Sequence, residues 1–168
     1  MNKISFRVTL LGAAHNRPAF NSGSIPQDRY FQQQVTQDVR RRVAACFVAL
    51  TGEERIAGYY TLAAASVLLN DLPPSTGKKL PRNPTVPAVR MRRLAVDQGF
   101  KGVGLGGALL ADALSRAANS EIAAYAMVVD AKDKKAADFY QHHGFIPMPN
   151  SPLTLFLPLA TATTVINK

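Results

Sequence analysis

A chain of 168 residues, 47 % hydrophobic and 18 % charged, is long enough for one domain with its own core and too apolar for intrinsic disorder. Twenty basic against 11 acidic side chains leave a formal charge of +9, which favours nucleic acid, an anionic membrane, or an anionic substrate or cofactor, and says nothing about fold. The only cysteine, Cys46, excludes an internal disulfide, and no His/Cys spacing suits zinc, so a reducing compartment and no metal are expected.

Residues 4–11 read as a first strand. The stretch from Ile4 to Ala14 is loosely signal-like, but Arg7 interrupts it and no cleavage pattern follows. No apolar run reaches membrane-spanning length, so a soluble cytoplasmic protein is expected. A helix is predicted from Pro26 to Arg42, since proline suits a first turn and arginine a last one. Two β-like runs follow, Ala44 to Leu50 and Arg55 to Leu69, with Thr51-Gly52-Glu53-Glu54 as a hairpin turn between them. Residues 70–87 carry Pro73, Pro74, Pro81, Pro84 and Pro87. Neither a helix nor a central strand suits that spacing, so a long functional loop is expected. Ala88 to Val96 reads as a strand. The glycine cluster Gly99 to Gly107 leads into a helix ending near Ala118, with Leu105, Leu109, Ala113 and Ala117 on one face. Tyr125 to Val129 is a further strand. Asp133 is a plausible N-cap for a helix through His143, Gly144 its stop, and Leu153 to Leu157 a last strand. The order β-α-β-β-β-α-β-α-β implies an α/β (α+β) fold: one domain over residues 1–168, with a mixed sheet flanked by helices.

Chemistry concentrates at Lys101-Gly102-Val103-Gly104-Leu105-Gly106, where a strand runs straight into a helix. Such a junction presents unpaired N–H groups at the positive end of a helix dipole, and glycine lets a phosphate approach the backbone. Lys101 adds charge. A Walker loop would need a terminal Gly-Lys-Ser/Thr, which is absent; a dinucleotide fingerprint needs Gly-x-Gly-x-x-Gly and an acidic residue about twenty positions on, whereas here the glycines run Gly-x-Gly-x-Gly-Gly and Glu121 lies on no obvious strand end. By themselves the glycines serve equally well as a flexible turn.

With Arg93-Leu94-Ala95-Val96-Asp97 before it and Leu109-Leu110 after it, this loop resembles the acetyl-CoA-binding core of the GNAT acetyltransferases. Phe139-Tyr140 followed by Gly144-Phe145 is similar to that family's closing helix and strand. Lys101 stands where the family has Arg or Gln. The resemblance implies the GNAT fold, with the cofactor's pyrophosphate on Lys101, Gly102, Val103, Gly104, Leu105 and Gly106. It also implies pantetheine paired along the backbone of Leu94, Ala95 and Val96. A backbone N–H near Val96 would then polarise the thioester carbonyl.

More of the chain resembles one branch, the acetyltransferase toxins of bacterial toxin–antitoxin pairs. Gly58-Tyr59-Tyr60-Thr61-Leu62, Leu80-Pro81-Arg82, Pro87, Val129-Asp130-Ala131 and Phe139-Tyr140 follow that branch in order. Phe20-Asn21-Ser22-Gly23 looks like a degraded Phe-x-Cys-Gly. The branch implies acetylation of the free α-amino group of an aminoacyl-tRNA, which blocks translation. It further implies a homodimer and a neutralising antitoxin with a ribbon-helix-helix DNA-binding portion.

Acetyl transfer needs an unprotonated amine and a proton for the departing thiolate. A phenol can deliver that proton, and Tyr140 sits where the family places this acid. Spacing by itself would favour a core aromatic, as Phe139 beside it is expected to be. His142 and His143 could serve as a base, but exposed helix-end histidines are the blander reading. From Leu72 to Val96 there is no acidic residue, while Lys78, Lys79, Arg82, Arg90, Arg92 and Arg93 fall in that window. Arg90 and Arg92 share a strand face. The window reads as an RNA-backbone surface, against the alternative of a solvated charge cluster. Two competing functions remain: a GNAT enzyme acting on a protein N-terminus or small amine, and a non-enzymatic nucleic-acid module.

Overall fold

The computed structural model describes residues 5–166; Ile4, the first residue of the expected opening strand, lies outside them. The chain forms a seven-stranded sheet in the order β1-β2-β3-β4-β5-β7-β6 and divides into two compact units, each taken in turn. The strands are β1 (Arg7–Leu10), β2 (Ala45–Leu50), β3 (Ile56–Leu68), β4 (Thr85–Val96), β5 (Ala126–Asp130), β6 (Ile146–Met148) and β7 (Ser151–Pro158). The helices are α1 (Ile25–Arg29), α2 (Val35–Arg40), α3 (Pro74–Gly77), α4 (Leu105–Ala118), α5 (Lys134–His142) and α6 (Leu159–Ile166). The β4–β5 pair is parallel, whereas β1–β2, β2–β3, β5–β7 and β6–β7 are antiparallel. This is the mixed sheet flanked by helices that the element order predicts. Among the described residues, no helix is long and apolar enough to cross a membrane.

The first unit takes residues up to 63 together with 93–113. Its strands β2 and β3 form the expected hairpin. Thr51 N donates to Arg55 O at 2.9 Å, and Glu54 adopts φ 63° to close the turn. The single helix expected from Pro26 to Arg42 is interrupted: α1 and α2 are joined by a wider π-helical turn, Tyr30–Gln34. No proline or glycine marks that turn in the sequence. The helix α2 ends at Arg40 because Arg42 takes φ 62°. Arg42 N then donates to Val39 O and Val43 N to Asp38 O, the paired bonds of a Schellman cap without its usual glycine. The turn drives Tyr30 and Phe31 into the core. Phe31 stacks on Tyr59 at 4.2 Å, and Phe20 meets both rings edge-on. Cys46, Val48, Leu50 and Ile56 complete this apolar cluster.

The second unit takes residues 64–92 with the chain from Leu114 onward. Val67, Val86, Ala88, Ala126, Val128 and Phe156 pack together as its core. The proline-rich loop is shorter than expected. It holds a one-turn α3, which Pro74 can open because a first-turn residue needs no N–H partner. β4 also begins at Thr85, three residues before Ala88. Pro87 is tolerated there: its carbonyl accepts Tyr125 N at 2.9 Å, and it has no N–H to leave unpaired. The cap of α5 is as read: Asp133 Oδ1 accepts Ala136 N at 2.8 Å, and Gly144 stops the helix at φ 94°. The element order omits β6 and α6, although the resemblance at Gly144-Phe145 implies a strand where β6 forms. The Leu153–Leu157 strand extends to Ser151–Pro158.

Burial holds the phenols of Tyr30, Tyr59, Tyr125 and Tyr140 above their ordinary range and pushes the Cys46 thiol up to about 12. These groups stay protonated in the folded chain, while the unfolded chain begins to lose the same protons near pH 9–10. Their contribution is therefore complete below that range and is lost progressively as pH rises from it toward the higher folded-state values. Melting temperature should be flat from pH 7 to 9 and then fall through pH 11. A flat profile to pH 11 would contradict this burial.

Candidate active site

The glycine loop lies in the first unit. Gly102 and Gly104 both adopt φ +81°, a conformation that side chains rarely take. A Cβ built at either position would meet no heavy atom within 4 Å. The glycines are thus required by backbone conformation, and the space before them is open to a ligand. Gly104 O accepts Ala108 N at 3.1 Å, so the N–H groups of Leu105, Gly106 and Gly107 precede the first bond of α4. On α4, Leu105, Leu109, Ala113 and Ala117 are buried, as their spacing predicts. Ala95 is buried, while Leu94 and Val96 are half-buried at the end of β4. Gly58 explains part of its motif: a Cβ there would lie 2.8 Å from Leu109 Cδ1 and 3.0 Å from Ala95 O. Tyr59 and Tyr60 are pins, Tyr59 Oη donating to Gln27 O at 2.7 Å and Tyr60 Oη to Asp112.

Lys101 is exposed, but its ammonium has a protein partner. Its Nζ donates to Ser22 O at 2.7 Å, within the Phe20–Gly23 motif. Asp97, only 3 % exposed, accepts from Asn21 N and Gly99 N at 2.9 Å each and pairs with Arg55 at 3.3 Å. Ser22, in the place of the motif's cysteine, donates through N and Oγ to Asp28.

In the second unit, Tyr140 is 5 % exposed on α5, flanked by Phe139 and Phe145. Such burial is what a core aromatic would show. Its hydroxyl differs in its partner, the thioether of Met91 at 4.0 Å. Sulfur is a weak acceptor, so the phenolic proton is loosely held. Desolvation, with a smaller contribution from Asp130, raises the phenol above its usual range and keeps it protonated at neutral pH. Asp130 in turn pairs with Arg90 at 2.8 Å. The His143 imidazole, packed edge-on against Phe139, is lowered by burial and by His142.

The cations of the acid-free window divide. Lys78, Lys79, Arg82 and Arg92 are exposed, whereas Arg90 and Arg93 have protein partners. Arg93 lies over the Tyr30 ring at 4.3 Å and donates to Gln27 Oε1 at 3.0 Å, both in the first unit. The sequence reading missed the roles of Asp97 and Asp130. Each closes a motif it did quote, Arg93 to Asp97 and Val129-Asp130-Ala131, and a carboxylate ending a strand motif was the available signal. Among the described residues, no group of three or more His, Cys, Asp or Glu is placed to hold a metal ion.

Residues 22–154 match the acetyltransferase (GNAT) domain. A tRNA-acetylating toxin of Mycobacterium tuberculosis is 34 % identical over 150 residues, covering 88 % of this chain and 89 % of the toxin. A "Probable toxin TacT" of Sinorhizobium fredii is 28 % identical over 162 residues and 90 % of each chain. The solved structure of AtaT complexed with acetyl-methionyl-tRNAfMet has the same fold, with a TM-score of 0.87 at 25 % identity, covering 96 % of this chain and 99 % of AtaT. With its glycine loop and its Phe-Tyr helix set inside that matched span, the chain belongs to the GNAT acetyltransferase family.

Proposed function

We propose that this N-acetyltransferase moves the acetyl group of acetyl-CoA to the α-amino group of an aminoacyl-tRNA, and so acts as a translation-blocking toxin. The whole chain works as a single catalytic domain in this reading. The observation that carries the chemistry is the Tyr140 hydroxyl, buried, kept protonated by desolvation, and donating to the Met91 thioether. The substrate class rests on the 34 % identity with the tRNA-acetylating toxin.

The amine nitrogen attacks the thioester carbonyl, the C–N bond forms and the C–S bond breaks. The leaving thiolate takes the phenolic proton of Tyr140, and the proton shed by the amine restores the phenol through solvent. An aminoacyl ester's amine gives up its proton more readily than a lysine side chain, so no strong base is assigned to His142 or His143. No metal is proposed. The N–H groups from Lys101 to Gly106 receive the pyrophosphate. The backbone of Leu94, Ala95 and Val96 pairs with the pantetheine, and the N–H near Val96 polarises the carbonyl. A cognate antitoxin follows from the toxin relatives. A ribbon-helix-helix portion in it, a homodimer and a cytoplasmic location rest on the family resemblance and the composition.

Lys78, Lys79, Arg82 and Arg92 would meet RNA phosphates. Arg90 and Arg93 would act more through the protein groups they already hold. Arg92→Ala should flatten the slope of log affinity for tRNA against log salt by about 0.7 to 0.9, one contact. Arg90→Ala should flatten it less, because Asp130 already shares that charge. Filter binding across a salt series reads both. A slope near zero for the wild-type chain would reject RNA and favour a protein N-terminus or small amine.

A further inference from the structure

Lys101 stands at the head of the glycine loop, where a charge for phosphate is the natural expectation, yet its ammonium is committed to Ser22 O at 2.7 Å. That bond is one strand of a zipper. Asn21 N donates to Asp97, Gln98 N donates to Asn21 O at 2.8 Å, and Asp97 also takes Gly99 N. Residues 21–22 are thus fastened to both ends of the segment 97–101. Beyond the zipper, Ser22 is tied to Asp28 of α1. The same stretch walls an open depression with Phe20, Asn21, Ile25, Asp28 and Gln32 in its lining.

We propose that Lys101 is a positioning residue: with Asp97 it clasps the Phe20–Ser24 segment to the cofactor loop and so shapes the depression beside α1 for the acceptor, instead of binding phosphate itself. The proposal rests on the reading that the loop holds acetyl-CoA. Three features support it. The ammonium makes a short, charge-assisted hydrogen bond to a backbone carbonyl, which is stronger than a neutral one. Each amide from Phe20 to Ser24 is hydrogen-bonded within this unit, so the segment is ordered by side chains and would loosen if one anchor were lost. The N–H groups of the loop and the start of α4 can receive phosphate without a side-chain cation.

The test compares wild type with Lys101→Met and Lys101→Arg. Acetyl-CoA affinity is measured by calorimetry at two ionic strengths, amide exchange over residues 20–24 by mass spectrometry, and acceptor KM with aminoacyl-tRNA. A clasp predicts that Lys101→Met keeps acetyl-CoA affinity within about threefold with unchanged salt dependence. It also predicts exchange at 20–24 about tenfold faster and acceptor KM raised by roughly the same factor, the scale of one charge-assisted hydrogen bond. Lys101→Arg, which can still reach the carbonyl, should recover most of the protection. Acetyl-CoA affinity falling tenfold or more with a flatter salt dependence, while exchange at 20–24 stays at the wild-type rate, would overturn the proposal and make Lys101 a phosphate ligand. If the wild-type chain does not bind acetyl-CoA, the cofactor reading fails, and the exchange of residues 20–24 in Lys101→Met and Lys101→Arg still decides the clasp.

Discussion

Tyr140→Phe should slow acetyl transfer by roughly 10²- to 10⁴-fold, the range for a removed general acid, while acetyl-CoA affinity stays near that of wild type. The substitution deletes one hydroxyl from a ring whose packing comes from Phe139 and Phe145. The lost contact is to a thioether at 4.0 Å, too weak to matter for folding. Melting temperature should therefore hardly move. Because the phenol is raised by burial, the wild-type rate should show no loss from Tyr140 ionisation up to about pH 10. Single-turnover kinetics with saturating acetyl-CoA reads the chemical step directly. Wild-type turnover in the variant would reduce Tyr140 to the core aromatic that its burial also permits.

Gly104→Val should weaken acetyl-CoA binding by roughly 10²-fold or more. Two causes add. A β-branched residue at φ +81° costs on the order of 1–3 kcal/mol if the loop keeps its shape, and every 1.4 kcal/mol is about tenfold. Its methyl groups would also occupy the open space that the phosphate needs. Gly104→Ala carries most of the first cost and little of the second, so it should fall between Val and wild type. Gly52→Val, at an exposed hairpin turn, should leave affinity unchanged. Calorimetry on variants of confirmed melting temperature separates these cases. A folded Gly104→Val chain with wild-type affinity would move the pyrophosphate elsewhere.

What the sequence made legible is what short-range pattern encodes. The hairpin at Thr51 to Glu54 follows from turn chemistry, and the buried face of α4 from four-residue spacing. Asp133 and Gly144 mark α5 because cap and stop are local choices. The same locality explains the misses. The π turn at Tyr30–Gln34 is fixed by Phe31 stacking on Tyr59, a partner far along the chain. Arg42 closes a helix by a conformation normally given to glycine, so the end carries no residue signal. β6 is a three-residue strand made by pairing with β7, with no alternation of its own. At the candidate site, motif spacing singles out the glycine loop and Tyr140 but not how side chains are spent. Lys101 reads as a phosphate cation until Ser22 O is seen beside it. Arg90 reads as a surface charge until Asp130 claims it. Both depend on pairings across 79 and 40 positions, which one sequence does not display.

The most direct test of the account is where the acetyl group goes. The protein is incubated with total aminoacylated tRNA and labelled acetyl-CoA, and the labelled species is digested and identified by mass. Label on the α-amino group of an aminoacyl-tRNA, absent when the tRNA is first deacylated and abolished by Tyr140→Phe, is the predicted result. Label on a nucleobase, or on protein and never on the aminoacyl group, would contradict it.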